Sequence, residues 1–312
     1  MNIDLTLQEE RANLFSDLNG FADEMCLSQN DESEDLFKLL FEVWEKVSGK
    51  LWFECYWNDY FRCGKIVLKA ARHINDVKIQ AQLLGELGYA CMEGEDFVQA
   101  DKNFQESLQK YQLLKEFSQE CKLLRYLGNL ANRQKQYELA LEHYHQAWEI
   151  LKTKRSQIPI DDRLALHEAE LPNVIGCVYL ELRDFSASHQ QFNLSLKNYQ
   201  ILLEDYPHKR IRYRYYQTEL IMNLGKCHFL QGDYEQARRY YEDCLLLSRE
   251  ISRNDTIAST LLSLAELEEV EGNKEEAIKL AGEAENVAGT EITSVRERAA
   301  IFKEKLLSKT IF

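Results

Sequence analysis

The chain has 312 residues, 45 % apolar and 29 % charged, a balance that suits a folded chain and excludes a disordered one. Its three prolines, Pro159, Pro172 and Pro207, are too few for the many turns of an all-β fold and favour long helices with short connections. A formal net charge of −14 repels phosphate backbones, so no nucleic-acid partner is expected.

In chain order, the acidity comes first. Residues 1–45 carry twelve acidic side chains against Arg11 and Lys38, a net of −10, which leaves the other 267 residues only four charges below neutral. Leu14, Leu18, Phe21 and Met25 recur at helical spacing and predict an amphipathic helix over 5–25. Residues 29–33 read as a loop. A very apolar helix follows from about Asp35 to Val47, then a longer one from about Leu51 to His73. The second is rich in rings: Trp52, Phe53, Tyr56, Trp57, Tyr60 and Phe61. This cluster reads as a closure for the amino-terminal end of the fold, with a ligand surface as the alternative. Residues 1–75 thus form a helical region holding a degenerate first hairpin.

From residue 83 onward the sequence repeats itself. Five 25-residue segments, 83–107, 123–147, 171–195, 220–244 and 260–284, align without a gap. Each holds a large apolar residue followed by a small one: Leu87-Gly88, Leu127-Gly128, Ile175-Gly176, Leu224-Gly225 and Leu264-Ala265. Ten residues past the apolar member stands Phe97, Tyr137, Phe185 or Tyr234, and Lys274 in the fifth copy. Then come a small residue (Ala100, Ala140, Ser188, Ala237, Ala277) and a ring (Phe104, Tyr144, Phe192, Tyr241), replaced by Ala281 in the last copy. Ser107, Ala147, Ser195, Cys244 and Ala284 close the pattern. Small residues let two helix backbones approach, and the rings fill the groove beside them. Gly232, Asp233 and Tyr234 end one helix and cap the next. Tyr60, Cys63, Val67 and Ala70 echo the second-helix columns in the first hairpin.

These columns resemble the tetratricopeptide repeat over about residues 80–290. The resemblance implies an all-α fold, a right-handed superhelix (α-solenoid) of antiparallel helix hairpins, with five repeats over 76–290 and a capping helix over 291–312. The spacing is expanded: the small column recurs at 100, 140, 188, 237 and 277, against a standard period of about 34. The extra residues fall around 153–163 and 203–212. Long repeats of this kind are similar to those of bacterial peptide-sensing regulators, kinesin-light-chain-like adaptors and the sensor arrays of signalling ATPases. Val295, Phe302 and Leu306 give the last helix its apolar stripe, and a polar outer face is what a stack needs at its end.

Chemistry is sparse along the chain. No phosphate loop, nucleophile elbow or zinc-protease helix occurs, so no catalytic residue, cofactor or metal is assigned and no enzyme is expected. An amino-terminal helical bundle with phosphatase activity is known among peptide-sensing repeat proteins, but no catalytic motif is readable in 1–75, and Gln8 is only a polar side chain there. His143 and His145 point in different directions on one helix. The eight cysteines, at 26, 55, 63, 91, 121, 177, 227 and 244, lack finger spacing and read as inert thiols of a cytoplasmic protein. The amino terminus lacks an apolar signal core, and no apolar run reaches membrane-span length. Lys209, Arg210, Arg212 and Arg214, interleaved with Tyr213, Tyr215 and Tyr216, read as a solvated helix start near Glu204 and Asp205.

The family resemblance implies that the first helix of each repeat lines a concave surface. Counting two before, one before, two after and five after the apolar–small column collects Arg125, Asn129 and Asn132 from repeat two. The same count gives Asn173 from repeat three and Asn223 and Lys226 from repeat four. Asparagine is a poor helix-interior residue, and its amide both donates to and accepts from an extended peptide backbone. Arg125 and Lys226 are then placed for a carboxylate. The expected function is a scaffold that binds a protein or peptide segment in this groove, with homo-oligomerisation open. The alternative is a regulatory sensor that changes conformation with its ligand and acts through a partner.

Overall fold

A computed structural model describes residues 8–27, 30–53, 56–154, 162–289 and 292–308. The chain is an all-α solenoid of stacked hairpins, and it divides into two compact units, 1–154 and 155–312. The first unit contains α1 (Gln8–Leu27), α2 (Asn30–Phe53), α3 (Trp57–His73), α4 (Val77–Glu93), α5 (Phe97–Leu114), α6 (Phe117–Arg133) and α7 (Tyr137–Lys154). The second contains α8 (Asp162–Glu181), α9 (Phe185–Asp205), a single 3-10 turn at Pro207–Lys209, and α10 (Arg210–Gln231). It continues through α11 (Tyr234–Glu250), α12 (Asn254–Glu271), α13 (Lys274–Ala288) and α14 (Thr293–Ser308).

The five repeats are the pairs α4–α5, α6–α7, α8–α9, α10–α11 and α12–α13. Their glycine and ring columns are one device. A Cβ built on Gly88, Gly128, Gly176 or Gly225 would stand 2.5, 2.3, 2.6 or 2.5 Å from the ring of Phe104, Tyr144, Phe192 or Tyr241. The missing methyl is therefore the seat of the ring. In the fifth repeat Ala265 faces a chain whose ring position is Ala281, and both are fully buried. Gaining a methyl on one helix goes with losing a ring on the other.

The last small column has its own purpose. Ser107 and Ser195 donate through Oγ to the carbonyls of Ala81 and Ala169, each at 2.6 Å and each 26 residues earlier. Cys244 makes the same contact with Thr218 O at 3.3 Å. In repeat two the donor is exchanged: Cys121 Sγ donates to Ala147 O at 3.5 Å, across the same register. Repeat five has Ala258 and Ala284 at these places, both fully buried and without a side-chain donor.

Turns within repeats share one conformation. Glu95, Lys135, Arg183, Gly232 and Gly272 all lie in the left-handed region, with φ of 63, 60, 63, 80 and 87°. In three of these turns the following aspartate caps the second helix, Asp96 accepting from Gln99 N, Asp184 from Ala187 N and Asp233 from Gln236 N. First helices bury residues on more than one side because they meet both their own partner and the preceding hairpin. Second helices bury a narrow stripe, as in Ala277, Ala281, Ala284 and Ala288 of α13.

The ends differ from the sequence reading in two places. The loop expected at 29–33 is helical from Asn30 onward, with Gln29 outside the described residues. Acidic side chains suit the first turn of a helix, and Ser33 Oγ donates to Met25 O at 3.2 Å. The break expected between Val47 and Leu51 is absent as well. Gly49 faces open solvent, while Trp44, Val47 and Leu51 on either side are buried and hold α2 to the core through to Phe53. Trp52 thus rides α2 and Trp57 rides α3. Helix α1 packs on both α2 and α3, so the first hairpin is built into a three-helix cluster. Arg11 pins it, 2.8 Å from Asp59 and 4.0 Å from the centroid of the Tyr56 ring.

The surplus residues near 203–212 lengthen helices rather than a loop. Helix α9 runs 21 residues and α10 runs 22, against 18 and 17 for α5 and α6. The other surplus, around 153–163, falls largely outside the described residues. At the carboxyl end α14 packs on α13 and α12, burying Val295, Ala299 and Leu306.

Candidate functional site

In the first unit, Arg125, Asn129 and Asn132 lie on α6, spaced by four and three residues along one side. Asn129 Oδ1 accepts from Tyr144 Oη at 2.7 Å. The ring that fills the Gly128 seat therefore also orients the amide and leaves its NH2 group turned to other partners. Asn132 Oδ1 is buried with no hydrogen-bond partner among the described residues. The Arg125 guanidinium lies 5.2 Å from the Tyr126 ring centroid, and Lys122 Nζ lies 5.5 Å from the same centroid.

The sequence reading missed the rings in this face. The offsets that select Asn129 and Asn223, two after and one before the column, also select Tyr89 and Tyr126. Trp52 stacks on Tyr89 with centroids 4.8 Å apart, and Tyr89 meets Tyr126 at 5.3 Å. Trp57 closes edge-on against Trp52 at 5.2 Å. All four rings are half-buried. Beneath them Tyr60 donates to Glu86 Oε2 at 2.9 Å, and burial beside that carboxylate pushes the Tyr60 phenol far above its ordinary range. The aromatic cluster is thus a closure at Trp44 and Tyr60, which are buried, and a partly open surface at Trp52 and Trp57.

In the second unit, Asn173 of α8 is nearly buried at 5 % exposure and accepts from Asn223 Nδ2 of α10 at 3.1 Å. The two predicted asparagines are brought together. Lys226, one turn along α10, donates to Glu181 of α8 at 2.8 Å, so a ligand carboxylate has to compete with a resident one. The same alternation runs on through the next first helices. Glu266 of α12 has its carboxyl raised by burial, with Arg298 and Lys226 opposing that rise, and Lys305 stands 3.5 Å from Glu269. The six predicted residues therefore fall in two groups, three in each unit.

The remaining polar candidates are tied into the fold. Lys209 lies 2.7 Å and Arg212 3.4 Å from Asp162, which also accepts from Tyr213 Oη at 3.0 Å. Burial alone would raise the Asp162 carboxyl, yet the Lys209 and Tyr213 hydrogen bonds and the Arg212 charge hold it below its ordinary value. Arg214 pairs with Glu250. Lys209, Arg212 and Arg214 thus pair with residues distant in sequence and not with the nearby Glu204 and Asp205. His189 Nε2 sits 2.8 Å from Gln231 Oε1, and its ring meets His228 at 4.9 Å. His143 is pushed down by burial. Among the described residues no three His, Cys, Asp or Glu side chains are placed to hold a metal ion. Burial pushes the Cys63, Cys91, Cys121 and Cys177 thiols up to about 12, well away from a reactive thiolate. No described helix is long and apolar enough to cross a membrane.

Comparison with known proteins agrees with this architecture. Residues 217–289 match the tetratricopeptide repeat family model. No curated protein matches the chain in sequence. Among solved structures, a Rap protein complexed with Competence and Sporulation Factor is similar with a TM-score of 0.57 and 14 % identity, over 96 % of this chain and 80 % of that one. The Signal Transduction ATPase with Numerous Domains protein of Pyrococcus horikoshii, which carries a tetratricopeptide repeat sensor, is similar at 0.56 and 13 % identity. That match covers 94 % of this chain and 41 % of that one. NprR in complex with its cognate peptide NprX is similar at 0.51 and 15 % identity, over 93 % of this chain and 82 % of that one. At these identities the likeness is one of fold.

Proposed function

We propose that this chain, an array of tetratricopeptide repeats, is a scaffold that binds a peptide or protein segment on the first-helix faces of its units. One observation carries the reading: amide and ring side chains stay partly open on α6 and α10 while the columns around them are closed. Asn129, Asn132 and Asn223 are half-buried next to Leu127, Leu130 and Leu224, which are 1–3 % exposed. An amide placed there satisfies a backbone without reading its sequence, and the rings supply contact area at small entropic cost. NprR, a protein of similar fold, is known with a peptide bound, which supports the class of ligand.

The test is a peptide selected on the full chain, with its affinity measured for the double variant Asn129→Ala with Asn223→Ala. An affinity lower by about tenfold or more, with unchanged helicity and melting, is the expected result. Equal affinity in the double variant removes these faces from the site.

A second reading, a regulatory sensor, draws on the ion pair that bridges α8 and α10. A ligand carboxylate that takes Lys226 from Glu181 would uncouple two neighbouring first helices and report binding as a change in their packing.

A further inference from the structure

The first-helix face of the amino-terminal unit is chemically one-sided. Trp57, Trp52, Tyr89 and Tyr126 form a bent rail: consecutive centroids are 5.2, 4.8 and 5.3 Å apart, and Trp57 folds back to 6.1 Å from Tyr89. Rings this close leave no slot for an inserted side chain, so a ligand has to lie along their outer faces. Neither indole N–H of Trp52 and Trp57 nor the Tyr126 hydroxyl has an acceptor among the described residues, and none of these atoms is shut off from solvent. Asn129 Nδ2 and Lys122 add further donors beside Tyr126. The nearby acceptor, Glu86, is already engaged by Tyr60 and by Gln82, at 2.9 and 3.0 Å.

Such a surface offers flat apolar faces and many donors. An ordinary extended segment brings a backbone N–H with every residue and finds few acceptors among the described residues here. A helical segment keeps its carbonyls to itself. A proline-rich segment matches both properties: its backbone has carbonyls and no N–H at each proline, its rings are flat and apolar, and its conformation is already set. At about 3.1 Å per residue, roughly four residues of polyproline II span the bent rail from Trp57 to Tyr126.

We propose that the Trp57–Trp52–Tyr89–Tyr126 rail binds a proline-rich segment in the polyproline II conformation. The proposal rests on the peptide-scaffold reading and names the occupant of the amino-terminal unit.

The experiment titrates the full chain with a blocked proline decamer, read by tryptophan fluorescence and calorimetry. A decamer with alternate prolines replaced by alanine, which restores backbone N–H groups, is the comparison. The expected result is saturable binding of the proline decamer, at least about fivefold weaker binding of the alanine-containing peptide, and a loss of about tenfold or more in Tyr126→Ala. Tyr126→Phe, which keeps the ring and removes the donor, is expected to fall between. Trp52→Leu is a second variant, and circular dichroism checks that each variant folds. No binding of the decamer up to about 1 mM, or binding indifferent to Tyr126→Ala, overturns the proposal. A random peptide library panned on the same chain then separates the two ideas. Enriched peptides that lose affinity in Asn129→Ala with Asn223→Ala but keep it in Tyr126→Ala keep the scaffold and sink the rail; no enrichment at all sinks both.

Discussion

A single missing methyl group organises each repeat. The Tyr144 Cε1 atom lies 2.3 Å from where a Gly128 Cβ would stand, closer than real Cβ atoms approach, and Tyr144 is fully buried. Gly128→Ala should therefore cost about 2–3 kcal/mol, as overpacking of a closed core does. Adding Tyr144→Ala should cost less than the sum of the two single changes, because the fifth repeat already shows Ala265 beside Ala281 as a workable pair. Urea unfolding of the two single variants and the double one checks this; strict additivity would mean that the ring does not sit in the glycine's seat. Tyr144 also holds the Asn129 amide, so a packing residue and a candidate binding residue share one constraint.

The hairpin is the unit in which turns and caps act together. Lys135 occupies the left-handed region with φ of 60°, where repeats four and five use Gly232 and Gly272. A side chain there costs about 1–2 kcal/mol, partly offset because glycine loses more entropy on folding. Lys135→Gly should raise stability by about 0.5–1 kcal/mol, read as a higher denaturation midpoint at unchanged slope. A lower midpoint would show that the Lys135 side chain contributes more than its backbone costs. Between hairpins the constraint is polar. Arg253, 8 % exposed, reaches Thr218 Oγ1 at 2.9 Å and Glu219 at 2.7 Å, meets Asp255 at 3.1 Å, and lies 3.9 Å over the Tyr215 ring. A planar fork makes all of these contacts at once, which a lysine ammonium cannot.

For the whole chain, acid stability reflects carboxylates held below their ordinary values. Asp162 ties the start of α8 to Lys209, Arg212 and Tyr213. Its folded-state value is depressed, so its contribution is present above the unfolded value and is lost as pH falls through the folded one. Asp162→Asn should lower stability at neutral pH and flatten the decline between about pH 5 and pH 2. An unchanged acid limb in this variant would assign the decline to other carboxylates. The proposed binding residues are likewise distributed over the chain. The candidate residues lie on α6 in one unit and on α8 and α10 in the other, which is why the test of the scaffold changes one asparagine in each.

The sequence alone determined the repeats, their hairpins and their columns, because a glycine, a ring and a small residue at fixed separations have one helical packing solution. It also carried the first-helix offsets, on which Tyr89 and Tyr126 were as readable as Asn129. Tertiary structure decided what the periodicity could not express. Gly49 ends no helix because Val47 and Leu51 on either side of it are buried and it is not, so Trp52 joins α2 and reaches Tyr89. Lys226 and the basic start of α10 have partners distant in sequence, Glu181, Asp162 and Glu250. Local spacing fixes which side of a helix a residue occupies; the stacking of hairpins decides whether that side meets solvent, a ring or an opposite charge.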